Sequence, residues 1–522
     1  MKVVFADRGG VRPARLCAWL TLVVWSGGCA TKAEAVQPLL VPQAPVVRCE
    51  AAPSAPKAAS AKEKTPARAS AFEREFQSAA AAYEAKDYAR AQRQIEPLAA
   101  RLPDSFEVNE LMGLVYAGQG QDEKAKRFLE NAVRLKPDSA AARTNLAVNL
   151  ARLGKKTLAE AEFKKAAELE PDSFDANHNL GEFYVRAGRL PAAIPYLKRA
   201  QSAALSNPPA NPAASYENGY DLALAWAETA HYAEARAEIR TQLQKRDTAE
   251  LHNLLGEVEE KGGNYLAAES EYERAAHMEP SEKNIFDWGG ELLLHQALDP
   301  AVEVFSRGVE RYPRSAKMQI GLGLAFYARA QYDDAVKALS LSTDLEPSDP
   351  RPYLFLAKAY NVSTTQTDEV TARLRRFAER EPRNAQAQFY YAMSLWKGRR
   401  AQDASVDFQQ IEMLLKKSVE LDAKFPEAHL QLGNLYSDQR KYDVAVPQYQ
   451  QALALNADLD DAHYRLGQAL VHLGKKDEAQ EQLRVYQKLR TEHLAEVERQ
   501  RAEVRQFVYS EKKPAAGAAR NP

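Results

Sequence analysis

The chain is poor in cysteine, has no excess of either charge and contains none of the common catalytic signatures. Its three cysteines, Cys17, Cys29 and Cys49, all fall in the first tenth of 522 residues. No disulfide framework or cysteine-based zinc site can therefore organise the chain beyond residue 49. Lys plus Arg is 70 and Asp plus Glu is 71, a net charge of −1. Such a balance gives no global electrostatic footprint for nucleic acid or an anionic membrane. No HExxH, GxSxG or complete phosphate loop occurs, which removes the usual signals for zinc peptidase, serine hydrolase and nucleotide-binding chemistry. A hydrophobic content of 45% with 27% charged residues is that of a chain able to build a core, which excludes a fibrous or wholly disordered protein.

What is present begins with a leader. Lys2, Arg8, Arg12 and Arg15 precede the apolar run Leu16 to Trp25, the charged and hydrophobic regions of a secretory signal. That run is well short of the roughly 20 residues of a bilayer-spanning helix. The following Ser26, Gly27, Gly28 and Cys29 resemble the lipobox of bacterial lipoproteins, departing from it at Ser26, where the family usually has leucine. The resemblance implies a signal peptide over 1–28, a lipidated Cys29 as the mature N-terminus and, with Ala30 next, outer-membrane sorting facing the periplasm. Cleavage after Ala33, Glu34 and Ala35 is the alternative and gives a soluble periplasmic or secreted protein. Residues 29–70 lack periodicity and are filled with Ala, Pro, Lys and Ser, including Pro38, Pro42, Pro45, Pro53, Pro56 and Pro66. They read as a tether, about 100 Å long if extended as polyproline II. Cys49 within it is either an incidental thiol or one half of an intermolecular disulfide.

The main signal is a period. Gly113, Ala147 and Gly181 are 34 residues apart, as are Gly289, Gly323 and Ala357, and again Gly433 and Gly467. Prolines close the units at Pro103, Pro137, Pro171, Pro280, Pro313, Pro347 and Pro382, where a helix cannot find its next backbone donor. In the unit Pro426–Leu459, Leu432, Gly433 and Tyr436 share one helical face, while Ala445, Tyr449 and Ala452 form the facing stripe of a second helix. This pattern resembles the tetratricopeptide repeat, whose unit is two antiparallel helices. It implies an all-α solenoid, a right-handed superhelix of helix pairs closed by a C-terminal capping helix.

The phase places twelve units, starting near 72, 106, 140, 174, 216, 249, 282, 316, 350, 385, 426 and 460. Units 1–4 occupy 71–205 and units 5–12 occupy 216–487. Between them a proline-rich stretch, 206–215, is either a hinge or a surface loop on one continuous stack. A second long step, 385 to 426, places its extra residues around Lys397 to Asp407. The segment Glu481 to Tyr509 reads as one long helix, with 488–510 covering the last exposed repeat face or offering a coiled-coil seam to a second copy; homo-oligomerisation is left open. Residues 511–522 read as a frayed tail.

The remaining candidates for chemistry are absorbed by the repeat phase. His252, His429 and His463 occupy the fourth place of their units and read as packing residues, not metal ligands. The Gly-Lys-Lys triplets at Gly154 and Gly474 sit at the turn between paired helices and lack the earlier glycine of a phosphate loop. Asp333 with Asp334 and Asp460 with Asp461 fall at helix starts, where carboxylates favour the helix dipole. No catalytic residue, metal site or cofactor is expected.

In tetratricopeptide proteins the first helix of each unit lines a groove for peptides or partner helices. One family mode pairs asparagines at the sixth place of the unit with a peptide backbone; Asn145 and Asn179 occupy that place here. Asn434 matches one position of a second, carboxylate-clamping mode, but Leu430 stands where its lysine should be. The expectation is a non-catalytic scaffold of the cell envelope that binds proteins or peptides, not nucleic acid. It touches the membrane only through the lipid. Alternatives are a docking, carrier or assembly factor of an export, pilus or polysaccharide machine, and a hydrolase within 385–425.

Overall fold

The computed structural model describes residues 66–206, 209, 212–364, 368–400 and 408–510. The leader, Cys29, Cys49 and the tail 511–522 lie outside the described residues. Among the described residues there are 24 helices and no strand. They fall into two compact units, divided between Asn264 and Tyr265. The N-terminal body contains α1 (Pro66–Glu84), α2 (Tyr88–Arg101), α3 (Phe106–Gly118), α4 (Asp122–Leu135), α5 (Ala140–Arg152), α6 (Lys156–Leu169), α7 (Phe174–Arg186), α8 (Leu190–Ser206), α9 (Pro212–Glu228), α10 (Tyr232–Lys245) and α11 (Ala249–Lys261). The C-terminal body contains α12 (Tyr265–Met278), α13 (Glu282–Leu294), α14 (Leu298–Arg311), α15 (Ala316–Ala328), α16 (Tyr332–Leu345), α17 (Arg351–Val362), α18 (Asp368–Arg380), α19 (Ala385–Arg400), α20 (Phe408–Leu421), α21 (Pro426–Asp438), α22 (Tyr442–Leu455), α23 (Asp460–His472) and α24 (Lys476–Ser510).

Each hairpin follows from residues at fixed places. A serine ends one unit and caps the next helix: Ser105, Ser139, Ser173, Ser281 and Ser315 accept from the backbone N–H three residues on, satisfying a donor that the helix start leaves free. Seven places into the helix a small residue lets the partner helix close in. A Cβ on Gly433 would stand 2.7 Å from the Tyr449 ring, and one on Gly181 would stand 2.5 Å from Leu197. Ala445, Tyr449 and Ala452 are fully buried, as their stripe requires.

The turn between paired helices needs one residue in the left-handed region. It is glycine at Gly120, Gly154, Gly188, Gly263 and Gly474, but Lys86, Ala230, Gln296, Ala330 and Arg440 fill the same place with φ near +60°. The next N–H then bonds back to a carbonyl five residues earlier, as from Gln331 to Phe326 at 2.8 Å and from Lys441 to Tyr436 at 2.9 Å, which is the Schellman closure. A side chain in that conformation is strained. Replacing Ala330 by glycine should therefore stabilise the chain by about 0.5–1 kcal/mol, the relief of strain exceeding the added freedom of the unfolded chain. A lower urea midpoint for Ala330→Gly would contradict this.

Three boundaries differ from the sequence expectation. Helix α1 begins at Pro66, inside the expected tether, because Pro at a first helical position is preorganised for helix. Helix α8 runs to Ser206 and α9 begins at Pro212, so residues 212–215, expected in a loop, are helical for the same reason. The two helices pack on one another, and the Asn218 amide donates to the Leu197 carbonyl at 3.0 Å and to Gln201 at 3.2 Å. The compact units thus divide at 264/265 and not at 206–215. Finally, α24 is one helix of 35 residues that serves both as the second helix of the last unit and as the terminal extension. Tyr486 packs at a tilt against Tyr464, with ring centroids 5.1 Å apart, and His493 reaches Asp460 at 3.4 Å, so its first half covers α23.

Within each body the first helices of neighbouring units touch: α3 meets α5, α5 meets α7, α7 meets α9, and in the second body α13 meets α15, α15 meets α17 and α17 meets α19. Among second helices only α16 and α18 make a comparable contact. Closer approach along one row than along the other curves each stack toward its first helices, so their free side chains line the inner face.

Candidate functional site

On the inner face of the N-terminal body, α5 places Asn145 and Asn149 one turn apart. Both are buried, at 3% and 1% exposure. The Asn145 amide donates from Nδ2 to Glu110 Oε1 at 3.1 Å, across to α3 of the preceding unit. Asn149 donates to Asp122 Oδ1 at 3.2 Å. Carboxylate oxygens accept, so each amide turns its nitrogen to the carboxylate and its oxygen to the other side. The two Oδ1 atoms then have no donor. They line a cavity of about 30 Å³ together with Tyr83, Leu114, Val148 and Arg152, space for a water or a single small donor group. Arg152 is already engaged with the Ala117 carbonyl at 3.0 Å and Asp122 at 3.1 Å. An unmet buried oxygen costs about 1–3 kcal/mol, so this wall calls for an N–H or O–H donor.

The other two asparagines behave differently. Asn179 is half-buried and its amide returns to the Asp175 carbonyl of its own helix at 2.7 Å. It does not repeat the Asn145 arrangement despite the 34-residue spacing. Asn434 is buried and bonded within its own unit, donating to Gln431 at 3.1 Å and accepting from the Tyr449 hydroxyl at 2.9 Å. It is an internal strut between α21 and α22. Asn149, Glu110 and Asp122 did not stand out in the sequence, because their relation to Asn145 depends on how one unit rotates over the next.

The histidines pack. His429 Nδ1 meets Gln448 at 3.0 Å and His463 Nδ1 meets Gln482 at 2.7 Å, the same pair one unit apart. His252 is buried against Asp247 at 2.7 Å. No three potential metal ligands come together among the described residues, and no described helix is long and apolar enough to cross a membrane.

Second helices carry their ion pairs to the next unit. Glu160 on α6 is held by Lys164, by Arg189 at 2.7 Å and by the Tyr184 hydroxyl at 3.0 Å, which lowers its pKa to about 2. Glu412, Lys416 and Tyr436 repeat the arrangement at the same spacing. These contacts fasten neighbouring units outside the inner face.

The tetratricopeptide repeat model matches residues 111–173, 144–212, 297–350 and 430–491. The chain carries tetratricopeptide repeats. Solved structures with a similar course include the APC/C hetero-tetramer Cut9–Hcn1 (15% identity, 81% of this chain and 95% of that one, TM-score 0.36). Yeast Tom70 is also similar (14% identity, 77% and 96%, TM-score 0.34). So is pilF of Pseudomonas aeruginosa (22% identity, 41% and 95%, TM-score 0.33). No curated protein matches the chain.

Proposed function

We propose that this chain is a non-catalytic scaffold of the bacterial cell envelope that holds a protein or peptide partner on the inner face of its repeats. The supporting observation is the pair of buried, unmet Oδ1 atoms of Asn145 and Asn149, oriented by carboxylates behind them. A single N–H or O–H group of a partner seated over Val148 and Arg152 is the donor that so small a cavity admits. Replacing Asn149 by leucine, which keeps the volume and removes the acceptor, should weaken partner capture about tenfold at about 1.4 kcal/mol while leaving the helical signal intact. Undiminished capture would remove this cavity from the binding face.

The envelope location rests on the leader and on Cys29. Replacing Cys29 by serine should move the protein from the membrane fraction to the soluble exported fraction, because two acyl chains or more are what hold such a protein at a bilayer. Unchanged fractionation would eliminate the lipid anchor and leave the scaffold reading intact.

A further inference from the structure

The two unmet oxygens of Asn145 and Asn149 set a demand that not every donor fills. They are amide acceptors one turn apart on α5, open to one cavity of about 30 Å³. Each amide gives its nitrogen to a carboxylate, Glu110 or Asp122, which polarises the opposite oxygen and strengthens it as an acceptor. A primary ammonium has three donors, no acceptor and the bulk of a water, so one such group meets both oxygens at once. A guanidinium is too large for the space, and a backbone N–H brings one donor to two acceptors. Arg152, which also lines the cavity, is held by Asp122 and the Ala117 carbonyl.

The same row of first helices turns acidic over the following units. Asp221 on α9 holds the sixth place, where Asn145 stands on α5; Glu217 and Glu250 hold the second place of α9 and α11, and Glu182 the ninth of α7. These helices are neighbours, α7 meeting α9 and α9 meeting α11. They carry no lysine or arginine except Arg186 and Lys261. Both are engaged, Arg186 with Glu182, and Lys261 with Glu228 at 3.0 Å and Glu257 at 2.8 Å. Burial and the like charges of Glu182, Glu217 and Glu250, against Arg186, push the Asp221 carboxyl up to about 7.

We propose that the inner face of the N-terminal body binds a lysine-bearing segment of a partner, one ammonium seated between Asn145 and Asn149 and others along Glu217, Asp221 and Glu250. The inference rests on the scaffold reading and names its partner's chemistry. An acidic segment would set like charge against this row and acceptors against the amide oxygens. A wholly apolar one would leave both oxygens buried and unmet, which is costly.

The full chain is titrated with a fluorescein-labelled lysine–serine repeat peptide and with its Nε-acetyl-lysine counterpart, which keeps an N–H and loses the charge. The lysine peptide is expected to bind about tenfold more tightly, the worth of charge-assisted hydrogen bonds. Asn149→Leu, and separately Glu217→Gln with Asp221→Asn, should each reduce that preference. Glu123→Gln with Glu130→Gln, exposed on α4, should leave it unchanged. Circular dichroism confirms the fold of each variant. Equal binding of the two peptides, a preference that survives every inner-face substitution, or an equal loss from the α4 pair overturns the lysine assignment. Much tighter binding after deletion of residues 50–65 also overturns it, because Lys57, Lys62 and Lys64 of this chain would be the occupant. So does peptide affinity that falls as chain concentration rises, which would make the occupant a second copy. In each case partner capture by Asn149→Leu judges the scaffold reading separately.

Discussion

Replacing Phe305 by alanine should destabilise the C-terminal body by about 3–5 kcal/mol, the cost of removing a buried phenylalanine from a packed site. Phe305 is 1% exposed and its ring fills the space that two glycines leave. A Cβ on Gly289 would stand 2.8 Å from it, and one on Gly321, in the next unit, would stand 2.2 Å from it. Phe286 meets it edge-on at 5.6 Å between centroids. One ring thus joins α13, α14 and α15, so its loss weakens both a hairpin and the interface to the following hairpin. Hydrogen exchange should quicken in α13–α16 and stay unchanged in α3–α6, because a repeat stack transmits stability through neighbours. Unaltered protection of α13–α16 would contradict the packing assigned to this ring.

The second large effect is expected at Arg236. Its guanidinium grips Glu259 with two bonds, 2.6 and 2.7 Å, and Asn264 adds a third to the same carboxylate at 2.7 Å. The Glu259 side chain is only 4% exposed. Arg236→Met leaves that carboxylate with Arg240, 3.7 Å away, and one amide, and breaking one side of a buried pair costs about 3–5 kcal/mol. The Arg236 hydrogen bonds are the largest reason that the Glu259 pKa lies below its ordinary value of 4.5. A depressed carboxylate contributes stability above its unfolded pKa and loses it as pH falls through the lower folded value. The variant should therefore lose most stability near neutral pH and converge on the parent in acid. A loss independent of pH would assign the effect to packing alone.

Much of the fold was legible because hairpin repeats write their geometry at fixed intervals. Nine predicted unit starts, 106, 140, 174, 249, 282, 316, 385, 426 and 460, are the first residues of α3, α5, α7, α11, α13, α15, α19, α21 and α23. Gly433 facing Tyr449 and the histidines facing glutamines follow from the same phase. The turn residue was only half legible, since Ala330 and Arg440 adopt the conformation that glycine announces elsewhere. The division at 264/265 has no proline or composition signal, whereas the proline-rich stretch proved to join two packed helices. The inner face was the least legible. Asn145 and Asn179 hold the same place in adjacent units, yet one bonds across to Glu110 and the other to its own helix. That outcome depends on which residue the preceding unit supplies at the contact, Glu110 for Asn145, and no single-unit pattern contains it.

The most direct measurement of the central claim is site-specific photo-crosslinking in intact cells. A photoreactive residue is placed at Val148 or Leu354 on the inner face, and at exposed Arg127 or Arg307 on the second helices. A partner polypeptide should crosslink at Val148 and Leu354 and not at Arg127 or Arg307. Crosslinks confined to Arg127 and Arg307 would contradict a scaffold that works through the inner face of its repeats.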